Sequence, residues 1–364
     1  MTRDEHFMRQ ALTLARKGYG RTSPNPMVGA VLVKGGKVIG QGWHRRAGAP
    51  HAEVEAIRDA GQCKGATLLV TLEPCSTTSK TPPCVEAIKA AGVRRVIVAA
   101  TDSNPEHAGR GFRQLRLAGI EVSRGLLADE AAELNASFNH WIVCGTPLVT
   151  VKSAMTLDGR IATASGESKW ITGPAARREG KRLRKGSDAI LVGINTVLAD
   201  DPGLMVKGKL KSRPLRRIIL DSKARIPLTA RVLNDEFVEA TTVVVARDAP
   251  EQMVKAIARK ANVMVASQKN GRVDLRWLLK RLGREEVVSL LVEGGGEVNA
   301  SFLEGGLAHR VAFFYAPKIL GGDGARRAVA GVGARSLGEA VRLEDARWRK
   351  VGVDLMLTAR VAGA

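Results

Sequence analysis

Aromatic side chains make up only 4% of this 364-residue chain, so its cores must be mainly aliphatic. The same scarcity argues against a surface that holds nucleic acid by stacking bases on rings. There are only four cysteines. Two of them belong to a motif described below, and Cys63 and Cys144 read as buried small side chains rather than a disulfide pair. A reducing cytoplasm suits such free thiols. No apolar run is long enough to cross a bilayer, which sets membrane spans aside. The first ten residues, Met1 to Gln10, are charged and lack the apolar stretch of a secretory leader. Low-complexity tracts and repeats of solenoid period are missing too. A cytoplasmic location is expected, and 45% hydrophobic residues with this length allow two domains.

Acidic residues are few beside basic ones. The formal net charge is +21, and most of the excess lies beyond residue 145. Such charge suits an anionic partner. Nucleic acid is one choice, a phosphorylated small substrate with a phosphorylated cofactor is another, and plain solubility is a third.

Against this background stands His51-Ala52-Glu53, followed by Pro74-Cys75 and by Cys84. One imidazole and two thiolates are a ligand set for zinc, and Glu53 supplies a carboxylate that need not be a ligand. Zinc deaminases require three protein ligands, an open position for water and a glutamate to move protons. A lone histidine or cysteine is usually only packing, but four chemically specific residues in this order are not. The cysteine spacing is longer than the common C-x-x-C, so the chain must fold back to bring Cys84 to the metal. Pro82 and Pro83 stiffen that approach. Cys84 opens a helical pattern, and a helix start favours thiolate.

The surrounding pattern is α/β. Residues 4–18 have apolar positions at helical spacing. Ser23-Pro24-Asn25-Pro26 is a rigid loop, and residues 28–33 and 37–43 pair as a hairpin. Asn25 sits where the hairpin begins, so its amide is a candidate to read a pyrimidine edge. Residues 66–71 and 95–100 are buried strands whose carboxyl ends lead to the Cys75 and Asp102 loops, at the edge where open α/β sheets carry active sites. Cys144 to Pro147 is the best domain boundary. Beyond it, residues 148–154, 189–193, 217–221, 241–246 and 287–292 read as strands of a second α/β sheet. Leu157-Asp158-Gly159 reads as a hairpin turn. Residues 175–185 form a basic helix closed by Gly186, and Asn195-Thr196 caps the next helix. Glu293-Gly294-Gly295-Gly296 before a helix is a candidate anion cradle. Gly321 to Gly324 is a loop.

These residues resemble a known family. His51-Ala52-Glu53 and the two cysteines are similar to the cytidine/deoxycytidylate deaminase superfamily. Ser23 to Pro26, Val28-Gly29, Thr71 to Cys75 and Thr81 to Cys84 narrow the likeness to the bifunctional riboflavin-biosynthesis deaminase/reductases of bacteria. Lys152 to Arg160, Ser168 to Thr172, Asn195-Thr196, Asp200 to Pro202 and Glu293-Gly294 resemble the reductase half. The resemblance implies an α/β protein of two domains: a cytidine-deaminase-like three-layer domain over 1–145 and a dihydrofolate-reductase-like domain over 146–364. It implies hydrolytic deamination of 2,5-diamino-6-(5-phosphoribosylamino)pyrimidin-4(3H)-one, then NADPH reduction of the ribosyl to the ribityl chain.

By position, the resemblance puts one Zn2+ on His51, Cys75 and Cys84, and the proton shuttle on Glu53. NADPH contacts fall on Ala154, Trp170, Thr196, Asp200, Ser222 and on Gly295, Gly296, Glu297, Val298, Asn299, Ala300 and Ser301. Substrate contacts fall on Ser168, Arg184, Leu204, Lys207 and Glu293, with Asn25 added from the hairpin reading. Members commonly carry histidine and glycine between the cysteines, where this chain has Thr77-Thr78-Ser79. Lys207 stands where arginine is frequent, and lysine lacks the bidentate phosphate grip. A homo-oligomer, dimer or tetramer, is expected, with no nucleic-acid or membrane partner. The rival readings are a tRNA or other nucleic-acid base deaminase with an RNA-binding second domain, and a catalytically silent zinc-stabilised binding protein.

Overall fold

In a computed structural model, which describes residues 1–77, 82–205 and 214–363, the chain folds as two units, Met1–Gly145 and Thr146–Ala364. The first opens with α1 (Arg3–Arg16). Thr2 caps it: its hydroxyl accepts from the Glu5 amide, while the Glu5 carboxylate accepts from the Thr2 amide. There follow β1 (Gly29–Lys34), β2 (Lys37–Trp43), α2 (Ala52–Ala60), β3 (Thr67–Leu72), α3 (Cys84–Ala90), β4 (Arg95–Ala100), α4 (Arg110–Leu117), β5 (Glu121–Arg124), α5 (Ala128–Leu134) and α6 (Ala136–Cys144). The strands lie in the order β2-β1-β3-β4-β5. β1 runs antiparallel to β2 and β3, whereas β3, β4 and β5 are parallel.

Successive strand residues point to opposite faces. Leu32, Leu68, Val70, Val96 and Val98 pack with Ala56, Ile88 and Leu115 of α2, α3 and α4. Val31, Val33, Leu69 and Ile97 pack with Met8, Leu12 and Ala131 of α1 and α5. The result is three layers, with the sheet in the middle. Glycine sets the helix spacing at one place that matters for the site. A Cβ on Gly42 of β2 would sit 2.4 Å from the carbonyl oxygen of Ala52, so only glycine lets the start of α2 lie this close to the strand.

The second unit contains β6 (Leu148–Thr156), β7 (Arg160–Ala162), α7 (Pro174–Gly186), β8 (Ala189–Gly193), α8 (Ile194–Asp200), β9 (Arg216–Leu220), β10 (Thr241–Ala246), α9 (Glu251–Ala258), β11 (Asn262–Ala266), β12 (Gln268–Lys269), β13 (Arg272–Val273), α10 (Leu275–Arg284), β14 (Ser289–Val292), α11 (Gly296–Glu304), β15 (Arg310–Ala316), β16 (Arg326–Arg327), β17 (Leu343–Val351) and β18 (Asp354–Val361). Its main sheet has the order β11-β10-β9-β8-β14-β6-β15-β18-β17. Strands β11 through β15 in that order are parallel, and β18 and β17 add antiparallel at the end. Ile190, Val192, Ile219 and Val243 meet Val197 of α8 and Ile257 of α9 on one face. Leu191, Ile218 and Val244 meet Leu278 of α10 and Phe302 of α11 on the other. Arg217 is fully buried in β9. Its guanidinium donates to Thr241 Oγ1, to the carbonyls of Gly203 and Val232, and to both oxygens of Asp235. Among the described residues, no helix is long and apolar enough to cross a membrane.

Four local expectations change. Cys144 is exposed at the end of α6, although Cys63 is buried. The basic helix runs through Gly186 and ends on extended Ser187. Asn195 and Thr196 lie inside α8, whose cap is Gly193, so neither side chain caps it. The turn at Leu157–Gly159 does not close a hairpin, because β7 pairs with β16. Asp158 instead accepts from the amides of Leu320 and Gly321, at 3.2 and 2.8 Å, and ties the glycine loop down.

Candidate functional site

β3 and β4 are adjacent and parallel, so the loops leaving their carboxyl ends share one edge of the first sheet. The loop after β3 carries Glu73, Pro74 and Cys75. His51 is the N-cap of α2, and Cys84 is the first residue of α3. His51 Nδ1 lies 3.2 Å from Cys84 Sγ and 3.5 Å from Cys75 Sγ. All three donor atoms fall within 4.8 Å of one another. A tetrahedral ion with Zn–N of ~2.0 Å and Zn–S of ~2.3 Å calls for N···S separations of roughly 3.5 Å, so the donors fit zinc.

The electrostatics fit as well. The Cys84 amide donates to Cys75 Sγ at 3.3 Å. The hydrogen bond with Cys84 pushes the Cys75 thiol down to about 4 in spite of burial, and the same contact pushes Cys84 far up. Two sulfurs thus compete for one negative charge, and a divalent cation would let both ionise. Glu53 is buried on the first turn of α2. Burial raises its carboxyl to about 7 against the pull of His51. His51 and Glu53 would diverge on a regular helix. They converge here because His51 precedes the helix with extended backbone, φ −74° and ψ 165°.

Asn25 belongs to this cluster through a residue the sequence did not single out. Its Nδ2 is 3.2 Å from His44 Nε2, and His44 Nδ1 is 3.1 Å from the Pro50 carbonyl. The His44 ring packs edge-on against His51, with centroids 5.2 Å apart. Burial holds the His44 imidazole below its ordinary value. Glu73 also went unnoticed. Its buried carboxylate accepts from the amides of Asp102, Gly109 and Gly111 at 3.3, 3.0 and 3.0 Å, which binds the loop after β4 to the Cys75 loop. Of the departures between the cysteines, Thr78 and Ser79 lie outside the described residues, as does Lys207.

In the second unit, Thr196, Asp200, Ser222, Gly295, Gly296, Glu297, Val298 and Ser301 line one cavity of about 950 Å³, together with Ser168. That is the upper end of the roughly 300–1,000 Å³ usual for ligand and cofactor sites. Gly295 caps α11 and Gly296 begins it, so amides at a helix start border the cavity, as a dinucleotide's phosphates require. Ser168 Oγ donates to Asp200 Oδ1 at 3.0 Å.

Other expected contacts lie elsewhere. Asn299 and Ala300 are buried, and Asn299 Nδ2 donates to the Ala328 carbonyl at 2.8 Å. A helix turns its consecutive residues to different sides, so one ligand does not meet all of Gly295 to Ser301. Ala154 packs against the cluster around Phe314. Trp170 is exposed beneath the Arg177 guanidinium, 4.6 Å from its ring. Leu204 is buried in the core with Ile194 and Val197. Arg184 and Glu293 meet each other: Nε and Nη2 donate to the two carboxylate oxygens at 2.7 and 2.8 Å. Lys152 Nζ joins at 3.4 Å. Burial opposes ionisation of Glu293, yet Lys152 and Arg184 hold its carboxyl at about 2.

Residues 147–357 match the family described as RibD C-terminal domain, and residues 1–100 match the cytidine and deoxycytidylate deaminase zinc-binding region. The riboflavin biosynthesis protein RibD of Aquifex aeolicus is 44% identical over 355 residues, covering 97% of either chain. The chain belongs to the RibD family. Among solved structures, Acinetobacter baumannii RibD (form 1) aligns with a TM-score of 0.89 at 38% identity, covering 99% of both chains. A Thermotoga maritima diaminohydroxyphosphoribosylaminopyrimidine deaminase/5-amino-6-(5-phosphoribosylamino)uracil reductase aligns at 0.83 with 34% identity and the same coverage. RibD proteins are bifunctional deaminase/reductases of riboflavin biosynthesis, and this member has both α/β sheets, the second of them dihydrofolate-reductase-like. Its zinc-binding site is His51, Cys75 and Cys84, and its reductase half implies a nicotinamide cofactor.

Proposed function

We propose that residues 1–145 deaminate 2,5-diamino-6-(5-phosphoribosylamino)pyrimidin-4(3H)-one to 5-amino-6-(5-phosphoribosylamino)uracil, and that residues 146–364 reduce the ribosyl chain of that product to ribityl with NADPH. The observation that carries the reading is the convergence of His51, Cys75 and Cys84 on one point with buried Glu53 beside them. The name of the Thermotoga maritima enzyme supports the substrate.

Zinc, when bound, supplies the Lewis acidity that makes water nucleophilic near neutral pH. Glu53 takes a proton from the attacking water and passes it to the departing amine, so that a C–N bond breaks, a C–O bond forms and ammonia leaves. Asn25, hydrogen-bonded to His44, reads the pyrimidine edge. In the reductase half, a nicotinamide cofactor supplies hydride. Ser168, held by Asp200 on the cavity wall, and Arg184 and Glu293 beyond it orient the sugar phosphate against the cofactor. The cytoplasm keeps the thiolate ligands reduced.

Incubation with the pyrimidine substrate, or with tRNA, while ammonia is followed tests the substrate class. Ammonia from the pyrimidine alone is expected, and release from tRNA alone contradicts the proposal. Glu53→Gln should abolish ammonia release while NADPH oxidation on supplied deaminated substrate continues.

A further inference from the structure

The sheet edge that carries the metal donors has two flanks. β3 lies between β1 and β4, antiparallel to the first and parallel to the second. The start of β1 and the ends of β3 and β4 therefore share that edge. Asn25 precedes β1 on one side of the Cys75 loop. On the other side stands the loop from Asp102 to Gly109, between β4 and α4. Glu73 holds this second loop at both ends. Its Oε2 accepts from the amides of Asp102 and Gly109, and its Oε1 from the amide of Gly111 in the first turn of α4. The packing leaves no slack: a Cβ on Gly111 would lie 2.3 Å from the Pro74 carbonyl oxygen and 3.2 Å from Glu73 Cγ.

Inside the loop, Asp102 Oδ1 accepts from the Asn104 amide at 2.9 Å, and Asn104 Oδ1 from the Glu106 amide at 3.0 Å. These short bonds shape the loop but do not place it. Among the described residues, Glu73 is the one side chain beyond the loop that hydrogen-bonds to its backbone. The loop presents polar groups to the site. Burial raises the Asp102 carboxyl above its ordinary value, and the charges of Glu73 and Cys75 add to the rise, so Asp102 lies within electrostatic reach of a metal donor. His107 Nδ1 is buried and has no hydrogen-bond partner among the described residues. Bonds to a carboxylate are stronger than neutral ones, and three of them set the loop's distance from the Cys75 loop. We propose that Glu73 is a positioning residue for deamination: it fixes the Asp102–Gly109 loop as the β4-side wall of the site, and so sets how tightly substrate is bound without touching metal or substrate. The inference rests on the diaminopyrimidine proposed above as the substrate.

Ammonia release by the full, zinc-loaded chain, followed against diaminopyrimidine concentration, tests it. Zinc content and NADPH oxidation on the deaminated product are read from the same samples. Glu73→Gln keeps the shape but turns amide protons toward the loop amides. Its KM should rise roughly ten- to a hundredfold, as for a binding wall displaced by about 1 Å. Zinc content, kcat per bound zinc and NADPH oxidation should stay near wild type, the pattern of a lost binding contact. Glu73→Asp keeps the charge on a shorter arm and should recover part of the KM. KM is a property of the folded molecules, so a lower yield of either variant does not mask the result. Wild-type KM in both variants overturns the role and leaves Glu73 a structural carboxylate. Loss of zinc and of kcat with KM unchanged overturns it too, and makes Glu73 a support for Cys75. A wild-type chain that releases no ammonia from the diaminopyrimidine removes the substrate reading and the positioning role with it.

Discussion

Single side chains in this protein gain their properties from partners far off in sequence. Glu293 is the sharpest case. Its folded carboxyl sits at about 2, whereas a carboxylate of this type in an unfolded chain titrates near ~4.3. The unfolded state therefore binds more protons between those values. Glu293 adds stability above the unfolded value, and this is lost as pH falls through ~4 toward 2. The amount is on the order of 3 kcal/mol. Acid unfolding followed by circular dichroism should show a flatter dependence over that window in Glu293→Gln. The same substitution leaves Lys152 and Arg184 facing each other without a counter-charge, and should cost roughly 3 kcal/mol at neutral pH, measured by urea unfolding. At this scale the sequence was partly legible. The metal donors were, because their order along the chain is chemically specific. His44 and Glu73 were not, because their roles depend on Asn25 and on the amides of Asp102, Gly109 and Gly111, which local pattern does not bring together.

Elements carry the site's precision. α2 delivers His51 and Glu53, and its first turn rests on Gly42 of β2. Gly42→Ala places a methyl 2.4 Å from the Ala52 carbonyl oxygen. Overpacking of this kind should cost about 1–3 kcal/mol. Because the displaced turn follows directly on His51, the variant should also bind zinc more weakly in competition with a chromophoric chelator. Unchanged zinc affinity would separate the helix position from the metal site. Strands such as β4 and β10 were readable to the residue, since buried aliphatic runs bounded by turns have few alternatives. Helix starts were less so. α8 begins one residue before Asn195, where Gly193 both ends the buried strand β8 and caps the helix, and β7 finds its partner in β16, distant in the chain. The contact face of α11 was also illegible. A glycine-rich turn announces a cradle but does not say which residues beyond it point inward, and Asn299 and Ala300 turned to the core.

At the scale of the molecule, the two units hold separate machinery. The metal donors and Glu53 all lie in Met1–Gly145, and the residues lining the cavity all lie in Thr146–Ala364. The excess positive charge had three readings in the sequence, and charge alone does not choose among them. The Lys152–Arg184–Glu293 ion cluster gives part of it a local use in the second unit. Separation of machinery leads to the most direct measurement: zinc stripped by a chelator from the intact chain, with ammonia release from the diaminopyrimidine and NADPH oxidation on the deaminated product assayed side by side. Loss of ammonia release, its return on adding zinc, and steady NADPH oxidation throughout are the expected results. Deamination that survives complete removal of the metal, or reduction that disappears with it while the chain stays folded, would contradict two independent sites, one of them built on His51, Cys75 and Cys84.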